Sequence, residues 1–167
     1  MDNISRHTGS NLGGLNSISW AYYEDVISFS TNDSLYSTIV FVASKGWNSL
    51  YFTPETMSLE SDQQILPAGM KFIYKVKMLV PKDRQEVEVI LAKLLLRKLI
   101  IKTTDKNNVI RVFGNLDSPM KLTYKLLKPG TIEGFTGYEV LFTGEFSHPA
   151  AYWLDGGGVP VDDGNTK

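Results

Sequence analysis

Residues 71–97 read KFIYKVKMLVPKDRQEVEVILAKLLLR, and they decide the fold class, because the hydrophobic period changes within them. Over 71–80 it is two. Phe72, Tyr74, Val76, Met78 and Val80 fall on one face and Lys71, Lys75 and Lys77 on the other, with Ile73 and Leu79 as exceptions. That alternation predicts a strand buried on one side. Pro81 ends it, and the period becomes helical. Val87, Ile90, Leu91, Leu94 and Leu95 form one apolar stripe, so a helix over about 83–97 is predicted to pack across a sheet. Asp83 is the candidate N-cap, with Glu86 three residues later completing a capping-box-like pair. Acids at the start and bases at the end suit the helix dipole.

Outward from this stretch, no other segment carries a helical pattern. Residues 18–30, ISWAYYEDVISFS, have the aromatic and β-branched content of strands, with Glu24-Asp25 as a turn or exposed step. Alternation there buries Trp20 with Tyr22 and exposes Tyr23. A loop follows at Thr31-Asn32-Asp33-Ser34. Residues 37–43, STIVFVA, are continuously apolar and predict a strand covered on both faces. Residues 49–53 predict a short strand, and Pro54 to Gly69 a long polar loop. Leu99 to Thr104 and Val109 to Phe113 predict a hairpin around Asp105-Lys106-Asn107-Asn108, since Asn tolerates the left-handed conformation of tight turns. Residues 120–127 and 138–146 alternate again, with Lys128 to Gly137 as a loop between them, and 150–154 form a last apolar patch.

These patterns predict an α+β, mainly β domain: an antiparallel sandwich or barrel of about seven to nine strands with one central helix plugging or flanking an open end. Residues 1–14 predict a flexible arm, 15–154 the single domain, and 155–167 a Gly- and Asp-rich flexible tail.

Composition narrows the chemistry. The 167 residues are 43% hydrophobic and 21% charged with a net charge of −1, an ordinary globular balance without a long-range field for nucleic acid or an anionic membrane. Cysteine is absent, which removes disulfides, thiolate catalysis and cysteine-ligated zinc. The N-terminus lacks the apolar core of a signal peptide, and apolar runs such as 94–96 and 39–43 are far too short to span a bilayer. The expectation is a chain made and kept in the cytoplasm unless partners carry it elsewhere.

No catalytic, cofactor or metal site is predicted. His7 and His148 lack partners at ligand spacing. Of the carboxylate pairs, Glu24/Asp25 reads as a turn or edge, Glu86/Glu88 as a helix start and Asp162/Asp163 as tail. An enzyme would need acids such as Glu24, Glu133 and Glu139 to converge in one cleft. Asp105 to Asn108 lacks the alternating ligands, Gly and distant Glu of a calcium loop. Nucleophile-elbow and phosphate-loop motifs are missing, and Gly156-Gly157-Gly158 reads as a spacer. Lys71, Lys75 and Lys77 point away from Tyr74, so a solvated lysine face is expected in place of a nucleic-acid platform. Exposed Tyr23, Trp47 or Trp153 on a concave face would instead favour a carbohydrate- or surface-binding module.

The order from Asp105 to Leu154 carries one further pattern. It comprises the Asp/Asn hairpin turn, Arg111-Val112-Phe113-Gly114, Leu116-Asp117-Ser118-Pro119, Gly137-Tyr138 through Phe142-Thr143-Gly144, and His148-Pro149-Ala150-Ala151-Tyr152. This order resembles the C-terminal half of structural proteins of Bacteroides-group phages and prophages, which are similar to tail or tail-tube components. Gly13-Gly14-Leu15 before an aromatic strand is loosely similar too. Asn108 departs from the pattern, which has Gly there. The resemblance implies a non-enzymatic virion subunit that forms homo-oligomers and contacts other tail proteins through sheet edges, arm and loops. It implies no active residues.

Overall fold

The computed structural model describes residues 12–32, 36–67, 69–131 and 134–153. The predicted tail at 155–167, most of the predicted arm, Asp33, Ser34, His7, Glu133, Asp162, Asp163 and the Gly156–Gly158 spacer lie outside the described residues.

The chain is mainly β, with two antiparallel-dominated sheets and one helix, and the sheets do not close into a barrel. The strands are β1 (Leu15–Tyr22), β2 (Val26–Thr31), β3 (Tyr36–Phe41), β4 (Asn48–Ser49), β5 (Ser58–Leu66) and β6 (Gly69–Pro81). After the helix α1 (Gln85–Leu95) come β7 (Leu99–Asp105), β8 (Ile110–Phe113), β9 (Lys121–Leu127), β10 (Gly137–Phe146) and β11 (Ala151–Trp153). The larger sheet runs β2-β3-β11-β8-β7-β1-β4, and the smaller runs β5-β6-β10-β9. This is the predicted sandwich with its single helix.

The core lies between the sheets. From the smaller sheet, Phe72, Tyr74, Val76, Met78 and Val80 of β6 point inward, as the alternation predicts. Tyr138, Val140 and Phe142 of β10 join them. They meet Ile18 and Trp20 of β1 and Leu99 and Ile101 of β7. A second, smaller cluster occupies the outer side of the larger sheet, where Ile100, Val112, Val26 and Ile39 are buried. Leu99, Ile100 and Ile101 are consecutive and all fully buried, so β7 is the strand covered on both faces.

The predicted turn positions hold. Tyr23–Asp25 form a single 3-10 turn between β1 and β2. Asp105 Oδ1 accepts the backbone N–H of Asn107 and of Val109, each at 2.8 Å, and Asn108 takes φ 60°. Leu12 and Gly14, at the end of the predicted arm, are tied to this turn: Leu12 exchanges two 2.9 Å bonds with the Asn107 side chain.

Five expectations are corrected. Residues 54–69 are not a loop throughout, because β5 occupies nine of them and pairs with β6 along its length. Residues 37–43 are not covered on both faces: Val40 is exposed while Ile39 is buried. The helix stripe is narrower than predicted. Val87, Leu91 and Leu94 are buried, but Ile90 is 44% and Leu95 46% exposed. The N-cap is Arg84, and no side-chain bond caps the helix. The Asp83 carboxylate is held by Tyr138 and Lys128. Of the predicted strand at 49–53 only Ser49 is in a strand, the two-residue β4.

Candidate functional site

The smaller sheet presents its outer face to solvent, and its register places the charges. Residues directly opposite each other in antiparallel strands share a face. Glu60 lies opposite Lys75, and Ser58 opposite Lys77. Lys75 lies opposite Thr143, which lies opposite Lys121. Glu139 lies opposite Lys125. The charges therefore sort by strand: β5 is acidic, β6 basic, β10 acidic and β9 basic. Two diagonal ion pairs lace the centre, Lys71–Glu145 at 2.7 Å and Lys77–Glu139 at 2.8 Å. The predicted lysine face thus exists, and much of it is matched by carboxylates from β10.

Both margins of this sheet are open. Among the described residues, no strand pairs with the outer edge of β5 or of β9. β5 is exposed along nearly its whole length. Its hairpin with β6 overhangs the sheet, since pairing with β10 stops at Phe72. Ile65 and Met70, paired across the hairpin, therefore lie beyond the core, and Ile65 is 88% exposed. Exposed apolar side chains also occur around α1, at Val89, Ile90 and Leu95 and at its C-cap Leu96, which is 87% exposed.

A polar cluster ties the helix entry to the smaller sheet. The Tyr138 hydroxyl donates to Asp83 Oδ1 at 2.7 Å, and Lys128 Nζ lies 2.5 Å from Asp83 Oδ2. The bond from Lys128, then that from Tyr138, holds the Asp83 carboxyl below its ordinary pKa. Burial, then the bond to Asp83, pushes the Tyr138 phenol up to about 12. At neutral pH the cluster is thus a carboxylate held between a neutral phenol and an ammonium group.

Among the described residues, four candidate acids are each paired with a separate base: Glu24 with Arg97 at 2.6 Å, Asp25 with Lys45 at 3.5 Å, Glu86 with Arg84 at 3.1 Å, and Glu139 with Lys77. His148 is exposed, with Nε2 3.3 Å from Asn115 Nδ2 and Nδ1 3.0 Å from Ser147 Oγ. No group of three His, Asp or Glu side chains able to hold a metal occurs among the described residues. The aromatics only partly assemble. Trp47 and Trp153 meet edge to face at 6.0 Å, with Phe41 against Trp47 and Lys102 over both indoles. Tyr23 stands apart, with Lys98 over its ring.

The quoted motif residues prove to be joints of the fold. Gly114 takes φ 92°, and a Cβ there would stand 2.9 Å from the Leu99 carbonyl oxygen. Asn115 Oδ1 accepts the N–H groups of Asp117 and Ser118, shaping the turn into β9. Buried Tyr74 accepts the Ala150 N–H at 3.0 Å, fixing the turn that leads into β11. The open sheet margins are what sequence reasoning missed. Their only signal was the pair of acids in SLESDQQIL and the pair of lysines in MKLTYKLL.

The chain matches no family profile, no curated protein and no solved structure. No helix among the described residues is long and apolar enough to cross a membrane.

Proposed function

We propose that this chain is a non-enzymatic structural subunit that assembles with copies of itself, in the manner of the phage tail or tail-tube components its 105–154 segment resembles. The open margins of the smaller sheet carry this reading. An exposed nine-residue edge strand offers a row of unpaired backbone groups to another chain. The exposed apolar hairpin tip and the exposed apolar side chains of α1 add surface of the kind buried on association. Under this reading the chain is made in the bacterial cytoplasm and ends in a virion tail, beside other tail proteins. Negative-stain electron microscopy of concentrated protein tests it: rings or tubes are expected, and isolated particles of monomer size would count against it.

A carbohydrate- or surface-binding module is the second reading, supported by the half-buried Trp47–Trp153 pair on the outside of the larger sheet. The two rings stand at 87° to each other, so they present an edge and a face, not one flat stacking platform. A glycan array tests this reading, with binding lost in Trp153→Ala.

A further inference from the structure

The strand-by-strand alternation of charge has an open acidic end at β5 and an open basic end at β9. Glu60 and Asp62 lie on the outer face of the first, Lys121 and Lys125 on the outer face of the second, and all four are exposed. Within the sheet each charged strand already lies beside one of opposite sign. A strand added to β9 would continue the series if it were acidic, and one added to β5 if it were basic. The chain itself supplies both.

Resting on the assembly reading above, we propose that the β9 edge of one copy pairs with the β5 edge of a second copy, carrying the four-stranded sheet across the contact. The chain directions agree. β5, β6, β10 and β9 are successively antiparallel, so β9 runs opposite to β5. Two copies in the same orientation side by side place β9 antiparallel to the neighbouring β5. With seven residues in β9 and nine in β5, the whole of β9 can pair. The two-fold alternatives are disfavoured by the same charges. A β5–β5 pair opposes acid with acid and a β9–β9 pair lysine with lysine, and like charges directly opposite destabilise a ladder. α1 packs against β9, and among the described residues no backbone bond reaches the outer edge of Lys121–Leu127; just before it, Met120 exchanges two backbone bonds with Leu99. A β9–β5 contact is heterologous, so each copy retains one free edge of each kind and growth gives a closed ring or a filament.

Charge exchange in the full chain tests the pairing by sedimentation velocity. E60K/D62K makes both margins basic, and K121E/K125E makes both acidic. Each variant alone is expected to self-associate about tenfold more weakly or worse than wild type. Mixed in equal amounts they complement each other at both margins, and association returns. The chain carrying all four substitutions also associates, which shows that the reversals leave the fold intact. E60Q/D62N removes the acids without setting lysines beside Lys75, and is expected to weaken association to a smaller extent. Unchanged association in K121E/K125E overturns the proposal, as does failure of the mixture to recover. Either result with wild type still assembling leaves the assembly reading standing and rejects only this pairing. A monomeric wild type rejects both.

Discussion

The hydroxyl of Tyr138, at the start of β10, donates a 2.7 Å hydrogen bond to the carboxylate of Asp83, two residues before α1. The Tyr138 side chain is fully buried, and its ring meets Tyr124 of β9 edge to face at 6.0 Å. This bond fixes where the chain leaves the sheet and enters the helix. It also explains why Asp83 does not cap α1: its oxygens are committed to Tyr138 and Lys128.

Stability should depend on this cluster at both ends of the pH scale. The folded state lowers the Asp83 pKa, so the stability it adds is present above the ordinary carboxylate value and is lost as pH falls. Tyr138 is raised from 10.0 to about 12, so its contribution is complete below pH 10 and declines as pH rises toward 12. Lys128 is raised by its bond to Asp83, so its contribution is likewise lost above its ordinary value of 10.5. Urea unfolding of Tyr138→Phe at neutral pH should show a loss of about 1 kcal/mol. The alkaline decline should be shallower in that variant than in wild type.

Tyr74→Phe should cost more than a comparable surface change. It leaves the Ala150 N–H unpaired in a buried position, a loss of about 1–3 kcal/mol. Hydrogen exchange should report the damage locally, as faster exchange at Ala150 and in β11.

The narrow stripe of α1 makes a paired prediction. Leu91 is fully buried, and Leu91→Ala should lose about 2–5 kcal/mol in chemical denaturation. Ile90, its neighbour in sequence, is 44% exposed, and Ile90→Ala should lose no more than about 1 kcal/mol. Equal losses would mean that both side chains are buried.

Gly114→Ala should destabilise by about 2 kcal/mol or more, because it combines a left-handed backbone with a Cβ forced against the Leu99 carbonyl. Gly46→Ala, where a Cβ meets nothing, serves as the control in the same thermal melts.

Much of the fold was legible because half-buried strands alternate. Residues 71–80, 120–127 and 138–146 announced their buried faces, and the change of period at Pro81 announced the helix. β5 was illegible for a physical reason. This edge strand is exposed except at Leu59, which packs on the core, so SLESDQQIL carries no alternation and its polar residues read as a loop. Ile90 and Leu95 misled in the opposite sense, as apolar residues at helical spacing that the fold leaves exposed. The continuous run at 37–43 suggested a doubly covered strand, whereas the sandwich gives that place to Leu99, Ile100 and Ile101. The charge order of the smaller sheet could not be read at all before its register was known. Glu60 and Lys121 are distant in sequence, and only the intervening pairings of β6 and β10 place them on one face.

Sedimentation velocity of the full wild-type chain, from micromolar to near-millimolar concentration at low and at high salt, tests the central claim most directly. The account predicts oligomers that grow with concentration and recede as salt screens the facing charges. A single monomeric species throughout that range, at both salt concentrations, would contradict it.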